Sequence, residues 1–413
     1  MHRKTRRVVL VTGLLTLLVV VGLLGSLEGF AADKEIVMLY NPDPFWEEEA
    51  KLFTEKTGIH VRFEFVPFMK LHDKMLTTFM AGAADYDIVP TRDDWVAEFA
   101  PRGFLTPLDQ WLTPEIRGRY LPGSLNALSW SGKTYGAPLY VWIWQLYYNK
   151  EALAAAGYSK PPQTWAEVLE MAPKLTKGGQ YAWGEPWGEN FAHFPFMVRL
   201  WTEGGEFLTE DGKPAFNSPE GLRALEKMIR LKPYVNPGSL EASSTGPVAE
   251  SFIQGIVAMT INTPPTIVMS LDKTKSKVAG KVGVSLIPGS AVRSATLAET
   301  GSLGIPAMSR KKELAWQFIQ FLTSDEEQKK MAKAMGRMPN NVRAIKDPEL
   351  LSMYPHFAVV PEQLEYPSGM LKHPKAQAIG NAVSRHIVLA LQGRETPAEA
   401  LAKAEKEVLA LTQ

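Results

Sequence analysis

The chain lacks cysteine altogether in its 413 residues. That excludes a disulfide framework, a thiolate metal site, a cysteine nucleophile and a lipid-modified cysteine at the N-terminus. It also lacks an excess of charge, with 45 Lys and Arg against 44 Asp and Glu. No basic stripe follows the first few residues, so no nucleic acid is expected as a partner. Its seven histidines include no i, i+4 pair, so no metal is expected either. No glycine-rich phosphate loop precedes a lysine, and Gly301-Ser-Leu-Gly304 is not a nucleophile elbow. Asp93 and Asp94 are adjacent, and adjacent carboxylates do not flank a scissile glycosidic bond. Neither an enzyme nor a cofactor is expected. Internal repeats and low-complexity linkers are missing as well, so any two lobes must be joined by several short crossings.

What is present begins with an address. Arg3, Lys4, Arg6 and Arg7 precede an apolar run from Val8 to Leu24, and Gly29 and Ala31 stand before a plausible cut. This is the pattern of a secretory signal peptide over residues 1–31. The other reading is a retained membrane anchor, for which the run is slightly short. The roughly 380 residues that follow are enough to bury a core without cross-links. A cleaved protein with no lipid tether needs an outer membrane to hold it, so the expected location is the periplasm.

After the leader the pattern alternates. Ile36–Tyr40 reads as a strand, and Asp43-Pro44 as an N-cap and first helical residue before Trp46, Ala50 and Phe53. Gly58 ends that helix, and Ile59, Val61, Phe63 and Phe65 alternate as a half-buried strand. A helix through Leu71, Met75 and Phe79 and a strand at 87–90 follow. Later, Asn149, Thr164 with Glu167, Ser218 with Pro219, and Thr396 with Glu399 mark helix starts. Lys312–Leu322 carries an apolar stripe. Such alternation predicts an α/β protein with helix-covered parallel strands and a helical tail.

Five segments in this order resemble the extracellular solute-binding proteins of family 1, the maltose-binding-like proteins of ABC importers. They are Asn41 to Gly58, Asp87 to Trp95 with Gly103 to Leu108, Tyr135 to Pro138 with Leu146 to Lys150, Phe252 to Asn262, and Gly304 to Ala307 with Ala315 to Leu322. The resemblance implies a class II periplasmic-binding-protein fold: two α/β lobes, a hinge and a ligand cleft between the lobes. It implies lobe 1 from 33–145 and 291–338, and lobe 2 from 146–290 with a helical part at 339–413. It further implies a monomer that delivers a small ligand, most often a sugar, to ABC transporter permease subunits. Thr263-Pro-Pro-Thr266 and the helix around Ala378–Val383 lack aromatic residues expected of maltodextrin binders. A module sensing a ligand for a membrane receptor would use the same cleft. Glycerol phosphates are also bound within this family.

A sugar presents hydroxyls and flat C–H faces, so its site needs aromatic walls and a few placed polar groups. Nine of the eleven tryptophans lie between Trp95 and Trp201. As one strand, Tyr140, Trp142, Trp144 and Tyr148 share a face, which belongs either to the core or to the cleft. Trp183 and Trp187 sit among glycines and proline, where a loop is expected, and loops carry binding residues. Asp93 and Asp94 follow a strand end, the usual ligand position in α/β sheets. One is expected to cap the helix bearing Trp95 and the other to bind. Asp43 has the same two readings. Asn41 and Asn262 follow strands and are amide candidates. Arg337 follows the helix-ending Gly336 and either donates to vicinal hydroxyls or pairs with a surface carboxylate. A phosphate ligand would need converging cations, and only Arg92 and Arg337 are offered, which favours a neutral sugar.

Overall fold

The computed structural model describes residues 34–209 and 211–412. The signal segment 1–31 lies outside them. In chain order the principal elements begin with β1 (Glu35–Tyr40), α1 (Pro44–Thr57), β2 (His60–Phe65), α2 (Phe68–Met80), β3 (Val89–Thr91) and α3 (Asp93–Phe99). Then come β4 (Ala137–Ile143), β5 (Gln145–Asn149), α4 (Trp165–Leu175), β6 (Tyr181–Gly184), α5 (His193–Thr202), α6 (Pro219–Leu231) and α7 (Gly246–Ile253). The chain continues with β7 (Val257–Asn262), β8 (Val282–Ser285), β9 (Thr296–Gly304), α8 (Lys312–Leu322) and α9 (Asp325–Met335). The last are β10 (Ser368–Gly369), α10 (Ala376–Leu391) and α11 (Pro397–Thr412).

Contacts divide the described residues into one unit of those up to 90 with 305–322, and a larger one of the remainder between 91 and 304 with those from 323 onward. In the first, β1 and β2 pair in parallel, Glu35 opposite His60 through Tyr40 opposite Phe65. The turn between α1 and β2 needs a left-handed residue, and Gly58 takes it at φ 70°. Asp43 caps α1 by accepting from the Phe45 N–H at 3.0 Å, as the Asp-Pro pair predicts. Phe53 of α1 packs on Phe318 of α8, 4.9 Å between ring centres.

In the larger unit one sheet has the order β8-β5-β7-β6, with β6 parallel to β7. A separate ladder is formed by β9 with antiparallel β4 and parallel β10. Both caps form as read, although the Glu167 carboxylate reaches back one residue further than a closed box, accepting from the Gln163 N–H at 2.6 Å. Thr164 accepts from Glu167 N–H at 3.1 Å, and Thr396 and Glu399 exchange bonds at 3.2 and 2.9 Å.

Two apolar cores flank this ladder. The larger gathers α4, α5, α6, α10 and α11 with Trp144 and Leu297. The smaller joins Val141, Ile143 and Ala298 to Met338, Ile345, Phe357 and Val360, with Leu364 packed against it. Ile143 and Trp144 are neighbours in sequence yet belong to different cores, as do Leu297 and Ala298. The chain passes from one core to the other at these points, and again between Leu364 and Leu371.

The expectation of one continuous strand through Trp144 and Tyr148 is corrected here. β4 ends at Ile143 and β5 joins a different sheet. The break turns the Trp144 ring into the larger core, stacked 5.9 Å from Phe191. It shares no strand face with Tyr140 and Trp142.

Candidate functional site

The β4–β9 ladder organises the site. Directly opposed residues of an antiparallel pair share a face, and neighbours alternate. Trp142 opposes Glu299 and Tyr140 opposes Gly301, so these four share one face. Val141 opposes Thr300 and Ile143 opposes Ala298 on the other. Burial follows this parity, since Val141 and Ile143 are buried while Tyr140 and Trp142 are half-buried.

Gly301 is required by the ring opposite. A Cβ there would lie 2.1 Å from the Tyr140 ring. The tyrosine therefore lies flat over bare backbone, and the Arg337 guanidinium stands 4.9 Å from its centre. Arg337 is placed by its neighbours. Gly336 ends α9 at φ 61°, and the Met338 carbonyl accepts from the Val141 N–H at 3.0 Å.

Arg92 links the carboxylates of this face. Its Nε and Nη2 donate to Asp94 at 2.6 and 2.9 Å, and its Nη1 lies 2.9 Å from Glu299. The guanidinium also sits 5.3 Å from the ring centre of Trp95. The three charged side chains keep 17–28% of their surface exposed, so the group is reachable from solvent. Burial alone would lower the Arg92 pKa, but Glu299 and Asp94 outweigh it and hold the guanidinium firmly charged. Burial raises the Glu299 carboxyl above its ordinary value, and Arg92 partly offsets this.

Neither aspartate caps α3, contrary to expectation. The N-cap position is Arg92, without a side-chain capping bond, and Asp93 and Asp94 form the first turn. Asp93 is 1% exposed, and its Oδ1 accepts from the Thr300 N–H of β9 at 2.7 Å. Its Oδ2 has no hydrogen-bond partner among the described residues. Burial pushes its pKa up to about 7, with Glu299 and Asp94 adding repulsion and the Thr300 amide opposing it.

The other expected walls lie elsewhere. Trp183 falls in β6, not in a loop, and both Trp183 and Trp187 are fully buried. Their indole N–H groups donate to Glu185 Oε2 at 3.1 and 3.0 Å, and Arg199 Nη2 donates to the same oxygen at 2.7 Å. A buried carboxylate needs such saturation, which is why both rings turn inward. In this structure they leave no surface for a ligand, and the expected cleft role is not met. Trp95 is buried beneath Arg92. Asn262 ends β7 fully buried, its amide donating to the Thr245 carbonyl at 3.1 Å and accepting from Thr263 N–H at 2.8 Å. Asn41 follows β1 and is half-buried, and Asp43 is the α1 cap; both belong to the smaller unit.

The structure thus brings together Asp94, Tyr140, Trp142 and Arg337, with Asp93 and Trp95 beneath them. Glu299 and Gly301 complete this face and were missed. The available signal was a lone charge in the otherwise uncharged segment Thr296–Gly304. The arrangement offers two half-exposed aromatic rings, two guanidinium groups and two carboxylates, a set suited to flat, hydroxyl-rich molecules. Among the described residues no cluster of three His, Asp or Glu is placed to hold a metal.

Comparison with known proteins agrees with the fold. A binding protein of Brucella abortus (strain 2308) is 31% identical over 308 residues, covering 72% of this chain and 73% of its own length. The mannitol-binding protein of Pseudomonas aeruginosa is 27% identical over 364 residues, covering 81% and 82%. An ABC transporter solute-binding protein from Thermotoga lettingae, solved with α-D-tagatose, superposes with a TM-score of 0.77 at 28% identity, covering 92% and 100%. The two-lobed α/β periplasmic-binding fold is therefore established for this chain. Residues 40–329 match the bacterial extracellular solute-binding protein family, and the chain belongs to that family.

Proposed function

We propose that this chain is a periplasmic binding protein for a neutral sugar or sugar alcohol, delivering it as a monomer to the permease of an ABC importer. Family membership supports a binding protein rather than an enzyme. The observation that carries the ligand class is the half-exposed face of Tyr140 and Trp142 beside Arg92, Asp94 and Glu299. The names of similar proteins point the same way, since one binds mannitol and another was solved with tagatose.

A glycerol phosphate or other anionic solute fits less well. Arg92 is already bracketed by two carboxylates, which would repel a phosphate. The lobes are proposed to join where the chain changes core, at 143–144, at 297–298 and between 364 and 371, the last replacing a boundary at 338. Asn41 and Asp43 remain proposed contributors from the smaller unit.

Calorimetric titration of the protein with D-mannitol, D-tagatose, maltose and glycerol 3-phosphate tests this reading. Saturable binding of a neutral sugar or polyol is expected. Tight binding of glycerol 3-phosphate with no response to the others would overturn it.

A further inference from the structure

The far face of the β4–β9 ladder borders a cavity of about 530 Å³ that the proposed sugar site does not use. Val141, Ala298 and Thr300 point to it, and they alternate with Tyr140, Trp142 and Glu299 along the same strands. Its volume falls in the range of small-molecule sites. Its walls come from both apolar cores, with Phe207 and Trp201 on one side and Val141 and Ala298 on the other.

Two features define what such a cavity would hold. The first is a pair of half-buried indoles, Trp130 and Trp201, in a lining that also carries the Ser124 hydroxyl and the Asn126 amide. Aromatic faces beside hydroxyl and amide groups suit a hydroxylated ring better than an alkyl chain. The second is Lys372, a half-buried ammonium and, among the described residues, the one cation of a cavity wall whose one carboxylate is Glu206. Its Nζ donates to the Asn126 carbonyl at 2.7 Å and makes no ion pair with a carboxylate among the described residues. An ammonium has three donors, so two remain for a ligand. Burial pushes the Lys372 pKa down, and the Asp93 charge partly offsets this. An arriving carboxylate would give Lys372 the charge-assisted partner that the protein withholds.

We infer that this cavity is a second binding site, for a hydroxylated ring bearing a carboxylate: a sugar acid of the uronate class, with its carboxylate on Lys372 and its ring between Trp130 and Trp201. The inference rests on other side chains than the sugar site does, since Val141, Ala298 and Thr300 lie on the face of the ladder opposite Tyr140, Trp142 and Glu299.

The test is calorimetric titration of the full chain with D-galacturonate and D-glucuronate, with D-galactose and D-glucose as neutral controls. The wild type is compared with Lys372→Met, Lys372→Arg and Asp94→Ala. A uronate should bind the wild type, at least tenfold more weakly to Lys372→Met, and with affinity largely restored in Lys372→Arg. Asp94→Ala, whose hydrogen bonds go to Arg92 and the Trp95 N–H and not to any cavity residue, should leave uronate binding within about twofold. In heteronuclear NMR spectra of the wild type the indole N–H signals of Trp130 and Trp201 should shift with the uronate, so the site can be read even if a variant folds poorly. No uronate binding at millimolar concentration would overturn the inference. So would binding indifferent to Lys372→Met, or binding lost in Asp94→Ala while Trp130 and Trp201 stay silent. The last result would place the uronate at the sugar face, leaving the proposed function standing and the second site refuted.

Discussion

Trp142 and Glu299 oppose each other directly across the β4–β9 ladder, and the Glu299 carboxylate is held 2.9 Å from Arg92. An aromatic wall and an anchored acceptor are thereby fixed on one rigid pair of strands. A sugar lying on the Trp142 ring would find the Glu299 oxygens at its edge. Losing one buried hydrogen-bond partner costs about 1–3 kcal/mol. Glu299→Gln and Asp94→Ala should each weaken sugar binding roughly ten- to a hundredfold by calorimetry. Unchanged affinity in both would confine the cluster to a structural role.

The fit of Tyr140 over Gly301 predicts a coupling between the two positions. Gly301→Ala places a methyl group where the ring lies, 2.1 Å away, so the ring must leave the face. The single substitution should lower both the melting temperature and sugar affinity. In a Tyr140→Ala background the same substitution should cost less, because the ring atoms nearest the methyl are gone. A double-mutant cycle showing additive effects would contradict this.

Asp93 predicts a pH dependence of stability. Its pKa rises from 3.8 to about 7 on folding. Between these values the folded state binds more protons than the unfolded state, so this group makes stability fall as pH rises. Below about pH 4 the penalty is absent, and above about pH 7 it is fully present. Asn at this position still accepts from the Thr300 N–H but carries no charge. The melting temperature of Asp93→Asn relative to wild type should therefore climb from pH 4 to pH 7.5 and then level off. A difference that is flat with pH would show that Asp93 is not the titrating group.

Local signals carried much of the fold. Asp43 before Pro44, Gly58 at the end of α1, and the Thr164 and Thr396 boxes each act through bonds a few residues apart, so their spacing alone reveals them. Strand parity was legible for Tyr140 and Trp142, which share one half-buried face of β4 as their spacing predicts. Side-chain placement was not legible where long-range partners decided it. Trp144 leaves the strand because a second core begins there. Trp183 and Trp187 turn inward because Glu185 and Arg199 need them. Asp93 serves β9 instead of its own helix because Thr300, 207 residues away, presents an amide to it.

The Glu185–Arg199 pair predicts a large stability effect separate from binding. Both side chains are fully buried, and the same carboxylate also accepts the two indole N–H groups. Glu185→Gln leaves a buried guanidinium without its counter-charge, a loss of about 3–5 kcal/mol. Urea unfolding followed by tryptophan emission should show the midpoint falling accordingly. A shift below about 1 kcal/mol, the size of an exposed pair, would mean that the ion pair does not hold this core together.

The last prediction concerns motion. The chain changes core at Ile143–Trp144, at Leu297–Ala298 and between Leu364 and Leu371, and a few backbone dihedrals at such crossings can absorb rotation of one core against the other. A ligand that touches both lobes stabilises the closed form by its differential affinity for it, with no other source of closure required. Trp142 lies on β4 just before the first crossing and Trp144 immediately after it. Saturation with the sugar identified by calorimetry should therefore shift tryptophan emission to shorter wavelength and reduce the radius of gyration in small-angle scattering. Trp142→Phe separates the two readouts: it should retain the change in radius while losing a large part of the emission change. A saturating ligand that altered the emission of wild type but left its radius of gyration unchanged would show that the sugar binds without closing the lobes.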